Sequence, residues 1–500
     1  VDAAIAAAAT LTVVQPGSND IGGDLFAIVW DGRELHGLNG SGRAPAALTR
    51  EAVTPARPSE KPGGAQAQAS EHGAMPAYGW PAVTVPGAPA GWRDLHDRFG
   101  SLPFAELFAD AIGYAEHGYP VSPAVARGWA AAVDRHTTLH GPEYEEWRRV
   151  WTIDGRAPRA GERWRNPGAA RTLRLIADSR ADAFYHGEVA AALAAHASRT
   201  GGFLTADDLA GHASSWVAPI AAGYRGHQVW ELPPNGQGIA ALLALNILDG
   251  LDLTGEDRVH LQVEAMKLGF ADAHAYVADP DRVAVPTEAL LSPAYAARRR
   301  AELGPTAAEP KPGDPARGGT VYLCTADADG LMVSLIQSNY MGFGSYVALP
   351  GYGFGLQNRG AGFSLDPDHP NVLAPGKRPF HTIIPGFLTR DGGEPVGPFG
   401  VMGGHMQPQG HLQLLVRTLD DGLDPQAALD APRWYWHAGR RLHAEPEFGP
   451  AVLAGLRRRD HDLVEGGAFF GYGQAIWRAP DGAGYVAGSE PRADGCAIGW

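Results

Sequence analysis

A chain of 500 residues with 45% apolar content can bury a large core, or two cores sharing one system of sheets. A net charge of −14 argues against a nucleic-acid or anionic-membrane partner. No stretch approaches the roughly 18 uncharged apolar residues of a membrane span. The two cysteines, Cys324 and Cys496, make no disulfide framework, and Cys324 alternates within an apolar strand, as a buried hydrophobe would.

The first residues, VDAAIAAAATLTVV, read as a helix already under way, with neither a starting Met nor a basic leader, so they are not a signal peptide as they stand. The expected location is the cytoplasm, with a periplasmic or secreted protein left open on the expectation that the chain begins upstream of Val1. FAIVW (26–30) is an early strand. GLNGSGR (37–43) lacks the strand–GxGxxG–helix setting of a dinucleotide site and reads as a surface loop. Residues 55–75, PARPSEKPGGAQAQASEHGAM, have the composition of a disordered loop. Residues 90–130 read as helical, with LPFAELFADAIGYAEHG as an amphipathic run, and 168–212 hold more helix. PPNGQG (233–238) is a turn opening the apolar helix IAALLALNILDG. A second helix follows at 259–277, with Val259, Val263, Met266 and Phe270 as its buried stripe. AAEPKPGDPARGG (307–319) reads as a mobile linker that ends at Thr320.

Beyond Thr320 the pattern changes to strands. TVYLCTA and LMVSLIQ flank DADG, a hairpin signal. DADG also resembles half a calcium loop, but the remaining ligands and the terminal Glu are absent, so the turn reading stands. Further strands fall near 383–389 and 396–402. A helix-rich segment, 1–319, thus precedes a β-rich segment, 320–500.

Two readings attach to RGGT (317–320). Gly318 and Gly319 can be a turn before a β-branched strand opener. Alternatively, the Gly319–Thr320 bond is built to be cut, making Thr320 an N-terminus whose own amine serves as base. GFGS (342–345) lacks the setting of a nucleophile elbow. His405 and His411 share neither a helix face nor a zinc spacing, so no metal or cofactor is implied. In GVMGGHMQPQGH (400–411), Gly403 and Gly404 follow a strand, and bare peptide N–H groups there can face a developing oxyanion; an ordinary turn is the alternative.

Taken together, these landmarks resemble the γ-glutamyltransferase family of N-terminal nucleophile (Ntn) hydrolases over nearly the whole chain. The resemblance rests on DAAIAAAATLTVVQPGSNDIGGDLFAIVW (2–30), VTVPGAPAGW (83–92) and LPPNGQGIAALLALNIL (232–248). It rests equally on Thr320 with Gly330 and the FG pair at 343–344, on PGKRPFHTIIP (375–385), on GGHMQPQG and on ALDAPRWYW (428–436). It implies an α+β fold, a four-layer αββα sandwich with one core shared by both segments. It also implies a precursor cut between Gly319 and Thr320, the two chains staying together, with a dimer of the cleaved unit as a further state. Thr320 would be the nucleophile, Ser338 the second hydroxyl that supports it, and Gly403 with Gly404 the oxyanion site.

The departures from the family pattern bear on substrate. Thr-Val-Tyr follows the cut where the family has Thr-Thr-His. Tyr340 replaces an Asn of the substrate pocket, and Arg359 and Gly362 replace the Gln and Asp that hold an α-amino group. His381 and Thr382 replace two serines. Ser41 stands where an Arg grips the α-carboxylate, with Arg43 two residues on. The span from Phe363 to Lys377 is too short for a lid loop. The grip on glutamate is thus dismantled while the amide-cleaving parts remain. This pattern resembles the branch holding oxamate amidohydrolases and cephalosporin acylases, and implies a small acidic amide as substrate, bound by Arg43, Tyr340, Arg359, His381 and Thr382. Two other readings stay open: a γ-glutamyl hydrolase or transferase, and an inactive family member acting as a binding protein.

Overall fold

The computed structural model describes residues 1–53, 72–309, 319–479 and 481–499. Most of the predicted loop 55–75 and of the linker 307–319 therefore lies outside the described residues. Eleven strands form two large antiparallel sheets: β1 (Asp24–Trp30), β2 (Leu35–Gly40), β3 (Ser215–Val217), β4 (Ile220–Tyr224), β5 (His227–Glu231), β6 (Gly319–Ala326), β7 (Met332–Tyr340), β8 (Gly386–Arg390), β9 (Pro395–Met402), β10 (Tyr472–Arg478) and β11 (Tyr485–Ser489). One sheet runs β3-β2-β1-β7-β6 and the other β11-β10-β9-β8-β5-β4. Each mixes strands from before and after Thr320. The joints are β1 against β7, from Asp24↔Ser338 to Trp30↔Met332, and β5 against β8, from Trp230↔Phe387 to His227↔Arg390.

Period-two alternation sorts the side chains of β1 and β7 between two cores. Phe26, Ile28, Met332 and Ile336 point between the sheets, where they meet Leu232, Ile383, Phe387 and Met402. Leu25, Ala27, Val29, Val333 and Leu335 point the other way, onto a helical layer that includes α1 (Asp2–Val14). The far face of the second sheet, with Val229, Leu388, Phe399 and Ala475, packs on α2 (Gly238–Leu248), α3 (Arg258–Tyr276) and α4 (Met406–Leu419). Three apolar cores therefore separate four layers, helix–sheet–sheet–helix. All of β1 and β7 is buried, as strands covered on both faces must be.

Two local readings are settled by the backbone. Asp327–Gly330 is the hairpin turn: the Leu331 N–H donates to Asp327 Oδ1 at 3.0 Å, and Gly330 has φ +88°. The glycine-rich run 37–43, expected as a surface loop, is instead the buried end of β2 and its continuation. Its glycines serve close packing: a Cβ at Gly42 would lie 1.6 Å from the Val85 carbonyl oxygen. Among the described residues no helix is long and apolar enough to cross a membrane.

Candidate active site

Thr320 is the second residue of β6, an edge strand among the described residues. The ladder runs Gly319↔Tyr340 and then Val321↔Gln337, so a register shift falls at Thr320. A bulge turns the bulged strand and re-aims a side chain. Here it leaves the wholly buried Thr320 Oγ1 3.0 Å from Ser338 Oγ. The Ser338 Oγ also accepts the Tyr340 N–H at 2.8 Å, which fixes the serine oxygen beside the threonine.

From Thr320 the contacts spread in two directions. Gln407, on the first turn of α4, reaches Thr320 Oγ1 with Nε2 at 3.5 Å, and its Oε1 accepts the Ile384 N–H at 3.0 Å. Gln237, just before α2, donates from Nε2 to the carbonyl oxygens of Thr382 at 2.6 Å and Gly404 at 2.9 Å. The Gly403–Gly404 corner joins β9 to α4 with φ of +139° and +62°, conformations that favour glycine. Its carbonyls accept from Met406 and Gln407, the start of the helix. The peptide N–H groups of Gly403 and Gly404 make no hydrogen bond among the described residues.

In the other direction, the Tyr340 ring lies under the Arg359 guanidinium at 4.7 Å, and Arg359 Nη1 donates to Thr382 Oγ1 at 2.6 Å. Arg359 is only 1% exposed. Its Nε and Nη2, the side-on edge of the guanidinium, find no acceptor among the described residues. Burial lowers its pKa to about 10, partly offset by the nearby Asp24 carboxylate. Asp24 opens β1 directly across from Ser338. Burial pushes its pKa up to about 7, against the pull of Arg359, the Gly42 and Gly87 N–H groups and Arg378. His381 Nε2 lies 3.1 Å from Asp24 Oδ2, and burial, reinforced by Arg359, holds His381 well below its usual range. A neutral imidazole and a proton-hungry carboxyl thus sit side by side under a cation.

Tyr340, Arg359, His381 and Thr382 are brought into one connected network with Thr320 and Ser338. Arg43 is committed elsewhere: it pairs with Asp279 at 3.0 Å and Asp281 at 2.6 Å, and also donates to the Gly376 carbonyl. Gly362 packs against the Phe380 carbonyl, with no room for a side chain. His405 sits among the rings of Phe270, His274 and Phe380, and His411 pairs with Glu231 at 2.6 Å behind the sheet. Sequence reasoning missed Asp24, Gln237 and Gln407. Asp24 did carry a signal, an acid opening an otherwise apolar strand. The two glutamines carried none, since their partners are distant in the chain.

A four-layer sandwich with a threonine at the head of an edge strand, and a hydroxyl beside it, defines the chain as an Ntn hydrolase, an enzyme class. The model of the gamma-glutamyltranspeptidase family matches residues 1–500, and the chain belongs to that family. It is 36% identical to the glutathione hydrolase-like YwrD proenzyme of Bacillus subtilis, over 100% of this chain and 93% of that one. It is also 36% identical to the oxamate amidohydrolase proenzyme of Klebsiella pneumoniae, over 100% of this chain and 94% of that one. Among solved structures it superimposes on the cephalosporin acylase of Bacillus halodurans with a TM-score of 0.92 and 52% identity, covering 100% of this chain and 91% of that one.

Proposed function

We propose that the chain is a self-processing threonine amidohydrolase acting on a small amide that carries a carboxylate. Processing comes first. Thr320 Oγ attacks the Gly319 carbonyl, the peptide nitrogen leaves as the new amine of Thr320, and water opens the resulting ester. In the mature enzyme that amine takes the proton of Oγ as the hydroxyl attacks the substrate amide, and passes it to the leaving nitrogen. Ser338 Oγ orients the nucleophile. The N–H groups of Gly403 and Gly404 stabilise the oxyanion, and water then releases the acid.

The observation that carries the substrate reading is Arg359. A cation held in place by Thr382 and the Tyr340 ring, with its fork-shaped Nε/Nη2 edge unpaired, matches the geometry of a carboxylate. A buried guanidinium with an open edge calls for an anion, and it would repel an α-ammonium placed at the same point. Arg43, already paired with two aspartates, is the weaker choice for this role. The name of the oxamate amidohydrolase relative agrees with a small amide that carries a carboxylate, and that of the equally similar glutathione hydrolase-like relative sets the reading to test it against.

The test is a substrate screen on purified, fully cut enzyme, with oxamate, glutaryl and γ-glutamyl amides side by side. The first two should be hydrolysed with the higher kcat/KM. Efficient γ-glutamyl turnover that Arg359→Gln leaves untouched would return the chain to glutathione-type chemistry.

A further inference from the structure

Outside the contacts of Thr320, α3 carries three buried polar side chains on one face: His260, Glu264 and Lys267, at 2%, 3% and 1% exposure. Burial of this kind is costly unless every group is paired. The pairing here is directed at one short piece of chain. Glu264 Oε2 accepts the Ala308 N–H at 3.0 Å, and Lys267 Nζ donates to the Ala308 carbonyl at 2.9 Å. Both faces of a single residue are thus gripped by opposite charges, which also pair with each other at 2.7 Å. His260 Nε2 lies 2.9 Å from the Gly304 carbonyl and so carries its proton toward it. Its Nδ1 is then an acceptor, and His461 Nε2 donates to it at 2.9 Å. Burial holds His461 down at about 3, which keeps that ring neutral.

The partners come from both sides of Thr320. His461 belongs to the segment beyond the cut, as does Arg459, whose carbonyl accepts the Ala307 N–H at 2.7 Å. Arg440, also beyond the cut, pairs with Glu309 at 3.2 Å. His260, Glu264 and His461 place ligand atoms within 4.8 Å of one another. The Lys267 ammonium, however, already supplies the positive charge that a metal would bring to Glu264.

We propose that this cluster is a binding site for the segment Gly304–Glu309, a clasp that seats the chain just upstream of the scissile bond during self-cleavage and keeps the new end of the first chain docked on the second afterwards. The inference rests on the self-cleavage reading for its consequence, but the docking can be measured without it. The Gly319 carbonyl is always one bond from the Thr320 nitrogen, so the clasp acts on the orientation of that peptide toward Thr320 Oγ1, and loosening it leaves the peptide less often aligned for attack.

The test uses the full-length chain and the pair-neutral variant E264Q/K267M, which leaves no unpaired buried charge. Self-cleavage, followed on denaturing gels, should slow by about tenfold or more. Once cutting is complete, kcat on the amide should stay within about twofold, because the cluster touches neither substrate nor Thr320. In Thr320→Ala, which stays uncut, hydrogen exchange should show the Ala307 and Ala308 amides protected, and adding E264Q/K267M should speed their exchange by about 100-fold. Cleavage at the parent rate together with unchanged exchange would overturn the clasp. Rapid exchange at Ala308 without the E264Q/K267M change would overturn it too, even if that variant does not fold. A wild-type chain that never cuts itself, with Ala308 protected, would instead refute the processing reading and leave the docking standing.

Discussion

On the proposed function, Arg359 is the side chain whose removal should discriminate most sharply between substrates. Arg359→Gln keeps a donor for Thr382 but deletes the charge and the fork. For an acidic amide, KM should rise by the equivalent of about 1.5–3 kcal/mol, the worth of a charge-assisted hydrogen bond, with kcat much less affected. Michaelis–Menten kinetics on the best acidic amide decide it; an unchanged KM would remove Arg359 from the site. Thr320→Ala deletes the one oxygen used in both steps, so the protein should run as a single uncut band and show no turnover. Ser338→Ala should leave the fold intact, by circular dichroism, while kcat falls roughly 10- to 1000-fold, the range for lost positioning and proton help. Wild-type kcat there would demote Ser338 to an ordinary strand residue. Asp24 adds a pH signature. Its carboxyl, raised from 3.8 to about 7 by burial, binds its proton more tightly folded than unfolded. Its contribution to stability is therefore full below pH 4 and is lost as pH climbs through 7. Asn keeps an acceptor for the Gly42 and Gly87 N–H groups and cannot ionise. The Tm of Asp24→Asn relative to wild type should accordingly rise between pH 5 and pH 8, by on the order of 2 °C or more. A constant gap would mean that Asp24 is charged throughout.

At the scale of elements, the site is assembled where strands end and helices begin. The corner between β9 and α4 places Gly403 in a conformation closed to other residues, and a Cβ there would also come within 3.0 Å of Phe469. Gly403→Ala should cost about 1–3 kcal/mol in urea unfolding and depress turnover by shifting the peptide N–H groups. A variant with parent stability and rate would show that the corner tolerates a side chain. The same elements show what a sequence can disclose. The β6–β7 hairpin was legible because DADG and alternating apolar residues are local signals, and the threonine at its head was legible because two glycines precede it. The amphipathic run over 102–118 is instead a short 3₁₀ turn at Phe104–Phe108 followed by a helix at Ala109–His117. The buried course of GLNGSGR escaped notice because glycine marks both loops and close contacts, and only the neighbour at Val85 distinguishes them. Gln237 and Gln407 were invisible because a glutamine acquires meaning only when the fold brings its partners.

At the scale of the whole molecule, both sheets are composites of the segments before and after Thr320. Separating the segments would break the β1–β7 and β5–β8 ladders and open the core between the sheets. Cutting at Gly319 should thus yield two polypeptides that migrate as one particle in size-exclusion chromatography and part only in denaturant. Release of a free small chain in native buffer would contradict the shared core. The sharing of packed layers by both segments was implied by the family resemblance, although the expected single core is three apolar layers, and which strands would adjoin across Thr320 was not legible.

The rim position of β6 has one more consequence. A strand in the middle of a sheet is held from both sides, and severing it tears hydrogen bonds on two flanks. Among the described residues β6 has a neighbour on one flank only, and the last ladder pair before the proposed cut is Gly319↔Tyr340. The backbone can therefore be divided there at the cost of about one rung. On the proposed self-cleavage, the terminus that the chemistry requires is made, rather than inherited from translation, at the border of the sheet, where a loose end disturbs least.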